Sequence, residues 1–200
     1  MKWMALGAAF IAAIAAQAPI AQAAVLTFET SLAPEAPGAT GSGSSTVVID
    51  DVADTLQIHI DWTGLSGPTT VAHIHCCTDV PFTGTATVAV TPGTLPGFPP
   101  GLISGSYDSP IIDLNNPASY TETFLNNFGG GTVEGAEAAL ITGIEAGRAY
   151  VNVHSETFPT GEIRGFLVPT AVPEPSSVLL LAAALGGLGL IRRRKPVSRK

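Results

Sequence analysis

Apolar and polar residues alternate along the middle of the chain, a pattern typical of strands with one buried face and one wet face. The clearest run covers residues 54–63. Its apolar positions, which we expect in the core, are Leu56, Ile58, Ile60 and Trp62. His59 lies on the opposite, wet face of the same run. Further strands, separated by Gly- and Pro-containing turns, are predicted over residues 25–32, 46–50, 69–76, 85–90, 148–154 and 161–167.

The pattern changes to a helical one between residues 116 and 146. Asn116 followed by Pro117 is a typical helix start. Three aromatic residues then follow at the spacing of one helix face: Tyr120, Phe124 and Phe128. A second helix is predicted over residues 133–146 and ends at Gly147. The whole pattern predicts an all-β fold, a Greek-key β-sandwich of the immunoglobulin-like or superoxide-dismutase-like kind, with two short helices inserted before the last two strands.

The two ends of the chain differ from the middle. Lys2, an apolar run and the small-x-small sequence Ala21-Gln22-Ala23 predict a signal peptide over residues 1–23. At the other end, a Pro-containing linker over residues 169–177 precedes an apolar segment, residues 178–191, and a basic tail, residues 192–200. As a helix the apolar segment spans about 21 Å, which is short of the roughly 30 Å hydrocarbon core. We predict that it crosses the membrane with the help of its flanking residues and leaves the basic tail in the cytoplasm.

The order of these C-terminal parts is specific. Pro173-Glu174-Pro175, an apolar span and then Arg192-Arg193-Arg194 resemble the PEP-CTERM sorting signal. The resemblance implies that one partner is an exosortase-type membrane protease and that the inner-membrane anchor is transient. Signal peptidase is the other partner, because of the predicted signal peptide. The protein would then move to the cell surface, the outer envelope or the medium, where exopolysaccharide and other envelope components are candidate partners. An ordinary, permanent tail anchor is the alternative.

The charge of the central domain differs from that of the chain. The whole chain carries −7, but most of its basic residues lie in the terminal segments. Residues 24–171 keep only Arg148 and Arg164 against fifteen carboxylates, a net charge of −13. Such a polyanion cannot bind nucleic acid through phosphate contacts, so we exclude a nucleic-acid partner.

Three segments in order resemble the CHRD domain, first described in chordin and found in exported bacterial proteins. They are Val71-Ala72-His73-Ile74-His75, Tyr150-Val151-Asn152-Val153-His154-Ser155 and Pro159-Thr160-Gly161-Glu162-Ile163-Arg164-Gly165. We place this domain over residues 24–168. The resemblance implies a β-sandwich without established enzymatic activity.

Cys76 and Cys77 are adjacent and are the only cysteines in the chain. Neighbouring Cα atoms are about 3.8 Å apart across a trans peptide, closer than an ordinary disulfide requires. In an oxidising compartment the pair can form a vicinal ring, join another molecule or remain as thiols. The sequence leaves these alternatives open.

The histidines are the candidate ligands for a metal. His73 and His75 are two residues apart, so they share one face of a strand, and His154 lies on a later strand. If these strands are neighbours, the three imidazoles and the carboxylate of Glu162 could hold zinc or copper. The other interpretation, which the sequence favours, is that the histidines form hydrogen bonds within the sheet and no cofactor is bound. A dismutase site would need more histidines than the four in this chain.

No nucleophile-elbow, phosphate-loop or HExxH motif is present in the sequence. We therefore expect an exported cell-surface or extracellular-matrix protein with a non-catalytic module, and not an enzyme. The alternative is a metal-binding module or a metal-dependent enzyme built on His73, His75 and His154.

Overall fold

The strands of the computed structural model, which describes residues 25–170, are all antiparallel to their neighbours. They are β1 (Val25–Pro34), β2 (Ser42–Asp50), β3 (Thr55–Thr63), β4 (Thr69–His75), β5 (Val88–Val90), β6 (Gly105–Asp108), β7 (Ile112–Asp113), β8 (Tyr150–Ser155), β9 (Ile163–Phe166) and β10 (Val168–Pro169). The predicted signal peptide, the apolar segment 178–191 and the basic tail lie outside the described residues.

Strand β1 connects the two halves of the sheet. Along one edge it pairs with β2, and β2 continues into β3 and β6. At Ala33 and Pro34 its other edge pairs with β9, which continues through β8 and β4 to β5. The sheet therefore curls so that its two halves enclose one core, and the predicted all-β, sandwich-like fold is confirmed.

The predicted faces of β3 are also confirmed. The four apolar side chains expected in the core are 0–3 % exposed: Leu56, Ile58, Ile60 and Trp62. His59, on the other face, binds the carboxylates of Asp61 and Asp108. Alternation along one strand was enough to assign these positions, because successive side chains point to opposite faces.

Strand β2 is longer than the sequence predicted, since residues 42–45 also pair with β3. These residues are small or polar, and their pattern does not indicate a strand. Gly43 explains why they fit, because a Cβ there would overlap the backbone carbonyl of Asp61 on the neighbouring strand. Ser45 adds a hydrogen bond from its hydroxyl to the His59 carbonyl oxygen, at 2.8 Å.

The first predicted helix is divided. Pro117–Ser119 forms a single 3-10 turn, with the Asn116 side chain as its cap. Tyr120 is then extended and bridges Val90, so the α-helix α1 begins only at Glu122 and covers Glu122–Asn127. The prediction of one helix face from Tyr120 to Phe128 was therefore wrong. Tyr120 is buried beside β5, and this packing stabilises the fold more than an extension of the helix back to Tyr120 would.

The second helix, α2, covers Val133–Glu145 and ends before Gly147, close to the predicted bounds. Its buried side includes Ala136, Leu140 and Ile144. Gly143 lies directly against the sulfur atoms at the end of β4, where a Cβ would overlap both of them. Packing on this side therefore ties α2 to the strand that carries two of the candidate histidines.

The sheet continues into the segment predicted as a linker. Pro169 pairs with Phe28, and the Thr170 backbone N–H donates to the Thr27 carbonyl oxygen at 2.9 Å. Within residues 25–170 no helix is long and apolar enough to cross a membrane. The predicted membrane span, residues 178–191, falls outside that range.

Candidate metal centre

Strands β4 and β8 are neighbours, and their register brings the three histidines together. His73 is opposite Asn152, and His75 is opposite Tyr150. His154 follows Asn152 by two residues, so all three imidazoles project from the same side of the two strands. The condition on which a shared site depended, that the two histidine strands are neighbours, is therefore met.

The three rings converge on a small volume. The distance from His73 Nδ1 to His154 Nε2 is 3.1 Å, and one ring nitrogen from each histidine lies within 4.8 Å of the others. The His73 ring stands nearly perpendicular to both of its neighbours, at 90° to His75 and 86° to His154. Nitrogens about 2.1 Å from one zinc ion in a tetrahedral arrangement would be roughly 3.4 Å apart, so the cluster is close to the size that a metal requires.

The second nitrogen of each ring faces a backbone carbonyl oxygen. His73 Nε2 is 3.0 Å from Gly93 O, His75 Nδ1 is 2.9 Å from Ala86 O, and His154 Nδ1 is 2.9 Å from Pro159 O. A carbonyl oxygen only accepts hydrogen bonds, so these three ring nitrogens must carry the hydrogen. In neutral imidazoles the remaining nitrogens are then His73 Nδ1, His75 Nε2 and His154 Nε2, and all three carry lone pairs.

Two of these lone pairs face each other across 3.1 Å, because neither His73 Nδ1 nor His154 Nε2 has a hydrogen to donate. The third, on His75 Nε2, is buried and has no hydrogen-bond partner. Acceptors packed in this way require a cation between them, either an added proton or a metal ion.

Burial makes the added proton unfavourable. Desolvation lowers the pKa of His73 and of His154 below the ordinary histidine value, against the opposing effect of their carbonyl partners. Desolvation also lowers the pKa of His75, to about 4. The rings are therefore neutral near pH 7, which is the protonation state that binds metals.

Glu162, which the metal-binding alternative counted as a ligand, does not join the three histidines. Its carboxylate points towards Ser66 and accepts a hydrogen bond from that backbone N–H. Burial favours a raised pKa for Glu162, but hydrogen bonds from Ser155, Ser66 and Thr40 outweigh burial and lower it. Glu162 lies just before β9, next to Gly161 at φ 128°, so strand alternation did not predict its direction.

Arg164 lies beside the three rings and not between them. Burial is the largest cause that lowers the pKa of His75, and the nearby charge of Arg164 adds to it. Arg164 Nε is 3.3 Å from Glu35 Oε2, and Nη1 donates to the Gly84 carbonyl oxygen at 2.9 Å. Arg164 therefore pairs with a carboxylate, that of Glu35. Its guanidinium carbon also lies 5.1 Å from the centre of the Tyr150 ring, and that ring stacks on His75.

The carbonyl groups that orient the imidazoles were not found from the sequence. Every residue has a carbonyl, so no residue type marks Gly93, Ala86 or Pro159 as a partner. The loop that carries Gly93 is held against β4 by three hydrogen bonds at Ala72. The Ala72 N–H donates to Thr94 Oγ1 at 3.1 Å, and the Ala72 carbonyl oxygen accepts from the Leu95 N–H at 3.0 Å and from the Thr94 hydroxyl at 3.3 Å.

Cys76 and Cys77 are joined to each other in a vicinal disulfide, which selects one of the three alternatives that the sequence left open. Cys76 is fully buried, and Cys77 Sγ lies 3.7 Å from the Ala139 carbonyl oxygen on α2. The disulfide lies against the helix, so it occupies the side of β4 away from the histidines. No free thiol is present between residues 25 and 170.

Fold and cluster together define an antiparallel β-sandwich domain with a candidate three-histidine centre on two neighbouring strands. A family model described as the CHRD domain matches residues 22–167, so the chain belongs to the CHRD family. A second model, the PEP-CTERM protein-sorting motif, matches residues 171–195. This motif implies processing by an exosortase, a membrane protease, and hence export with a transient membrane anchor. Neither the curated proteins nor the solved structures include a significant match.

Proposed function

We propose that this chain is an exported protein of the cell surface or extracellular matrix whose CHRD domain is a non-catalytic module that binds one zinc or copper ion. The observation that carries the metal is the set of three imidazole lone pairs facing one another, with every ring oriented by a backbone carbonyl. Metal-bound histidines typically donate their second N–H to such a group.

The kind of metal follows from the ligand atoms. The cluster offers three nitrogens, which suit zinc or Cu(II), and no thiolate between residues 25 and 170 is free to select Cu(I). The ligands are neutral, so the ion keeps its full charge in the site. The net charge of −13 on the domain attracts cations towards it.

Metal analysis of the mature exported protein tests this proposal. After incubation with zinc or copper and removal of loosely bound ions, we expect about one ion per chain by mass spectrometry of the eluted metal. The double substitution His73→Ala and His75→Ala should abolish this binding. His59→Ala is the matched control, because His59 is outside the cluster and binds carboxylates on the other half of the sheet. Equal metal content in the wild type and the double variant would overturn the proposed metal centre.

Processing is tested separately. We expect the mature N-terminus at Ala24 and no peptide beyond Pro175 in the surface fraction. Replacing Pro173-Glu174-Pro175 by alanines should leave the protein in the membrane fraction with its C-terminal arginines. If the surface form of the wild type still carried those arginines, sorting by cleavage would be refuted.

A further inference from the structure

Three imidazoles do not complete the coordination of zinc, which takes four ligands in most protein sites. In the range 25–170 no carboxylate or thiolate joins the three nitrogens. Glu162 is engaged with Ser66, and both cysteine sulfurs are joined in the disulfide. One position on the metal is therefore left for a ligand that the chain does not supply.

An open cleft of about 250 Å³ adjoins the cluster at the surface of β4, β8 and β9. Its walls include Glu35, His75, Tyr150, Asn152, Gly161 and Arg164. His75 belongs to both the cleft and the cluster, and it is the most exposed of the three histidines. Through His75 the cleft therefore offers an outside ligand a route to the proposed metal.

Asn152 gives this cleft an unused acceptor. Its amide nitrogen donates to Glu35 Oε1 at 2.8 Å, in space that Gly161 leaves open because a Cβ there would overlap both groups. The amide oxygen is buried and has no hydrogen-bond partner, although the residue is only 2 % exposed. A buried acceptor without a partner destabilises the free cleft, so a ligand that donates a hydrogen bond to it gains affinity.

Arg164 gives the cleft a fixed positive charge. Its contacts with Glu35 and Gly84 use two of the five N–H groups of the guanidinium, and contact with the Tyr150 ring keeps its plane in place. Arg164 is one of the two cations in a domain with fifteen carboxylates. With a divalent ion beside it, the positive charges outnumber the single carboxylate of Glu35, so the cleft favours an anion.

We propose that this cleft binds a small hydroxycarboxylate, and this inference rests on the proposed metal centre. One carboxylate oxygen takes the fourth position on the metal, and the other accepts from Arg164, whose planar N–H groups match a carboxylate. A hydroxyl next to the carboxylate donates to Asn152 Oδ1, which a simple carboxylate cannot do. No bond is made or broken in the ligand.

Cobalt in place of zinc makes the fourth position visible, because the absorption of Co²⁺ depends on its ligands. The mature protein loaded with Co²⁺ is titrated with glycolate and with acetate, which lacks the hydroxyl. We expect both anions to change the spectrum, with glycolate binding at least about tenfold more tightly, since a satisfied buried acceptor contributes about 1–3 kcal/mol.

Two variants assign the contacts. Asn152→Leu should remove the preference for glycolate, and Arg164→Gln should weaken both anions at least about tenfold, while each keeps one cobalt ion per chain. Arg164→Lys, which keeps the charge, should retain part of the affinity, and near-ultraviolet circular dichroism checks that every variant is folded. If cobalt binds stoichiometrically but neither anion changes the spectrum, or acetate binds as tightly as glycolate, this inference is overturned and the metal centre stands. If cobalt does not bind at all, the metal centre and this inference both fail.

Discussion

Replacing Glu137 by glutamine should stabilise the domain at neutral and alkaline pH. Helix α2 carries Glu137 to the turn between β2 and β3, where Asp51 and Asp54 lie. Burial is the main cause that raises the pKa of Glu137, the charge and hydrogen bond of Asp54 add to it, and the value reaches about 7. One carboxyl oxygen, Oε1, is buried without a hydrogen-bond partner. Ionised Glu137 is therefore poorly compensated in the folded state.

The sign and size of the effect follow from proton binding. In the unfolded chain Glu137 loses its proton near pH 4.5, whereas the folded protein keeps it until about pH 7. The folded state thus binds more protons in this window, and stability falls as the pH rises through it. The full interval corresponds to about 3 kcal/mol, at about 1.4 kcal/mol per pH unit. Glu137 is only partly buried and solvent screens its neighbours, so we expect about 1–2 kcal/mol.

Urea denaturation followed by tryptophan fluorescence between pH 4.5 and 8.5 measures this difference. Glu137→Gln should exceed the wild type by about 1–2 kcal/mol at pH 8, and the two should converge towards pH 4.5, where both side chains are neutral. Glu156→Gln is the control, because Glu156 is exposed in the turn after β8. A constant difference across the pH range, or the same gain in the control, would refute the argument.

Three further predictions concern the packing of two buried residues and the pKa of the partly exposed His59. Ile58→Ala should lower the free energy of unfolding by about 2–5 kcal/mol, because the Ile58 side chain is buried. His59→Ala should lower it by less than about 1 kcal/mol. Similar losses for the two variants in urea denaturation would contradict the assignment of the two faces of β3. Gly143→Ala should lower the thermal midpoint strongly, because the new methyl group overlaps both cysteine sulfurs, and an unchanged midpoint would disprove this contact. The pKa of His59 should lie above its ordinary value, since hydrogen bonds to Asp61 and then to Asp108 favour the charged ring. The stabilisation that these hydrogen bonds give the folded state is therefore present at low pH and lost as the pH rises through the pKa of His59. An NMR titration that places this pKa below the ordinary histidine value would refute the prediction.

The sequence predicted the strands that carry the histidines because the direction of a side chain in a regular strand follows from its position. His73 and His75 share a face through their spacing alone, and His154 joins them once β4 and β8 are neighbours. The same reasoning identified the buried face of β3. The assignment of faces uses information that lies within a few consecutive residues, whereas the pairing of β4 with β8 joins distant segments.

The remainder of the site depends on contacts between distant segments. The carbonyl oxygens of Gly93 and Ala86 reach the imidazoles through loops, and their residue types give no indication of that role. Glu162 was assigned to the cluster, but the irregular backbone at Gly161 lets its side chain turn towards Ser66. Asn152 belongs to a motif that the sequence showed, but only the structure shows that its amide oxygen is left without a partner.

The vicinal disulfide connects the proposed metal with the export of the protein. Cys76 directly follows His75 in the sequence, so two free thiols would lie close along the chain to a candidate ligand, although on the opposite side of β4. Thiolates bind zinc and copper strongly and would compete with the imidazoles if the cysteines were reduced. Disulfides persist outside the cytoplasm, where the PEP-CTERM motif directs this chain. In that compartment the cysteines are tied to each other against α2, and the proposed metal is left to the three histidine nitrogens. A nitrogen-only centre is therefore the arrangement that we expect in the exported protein.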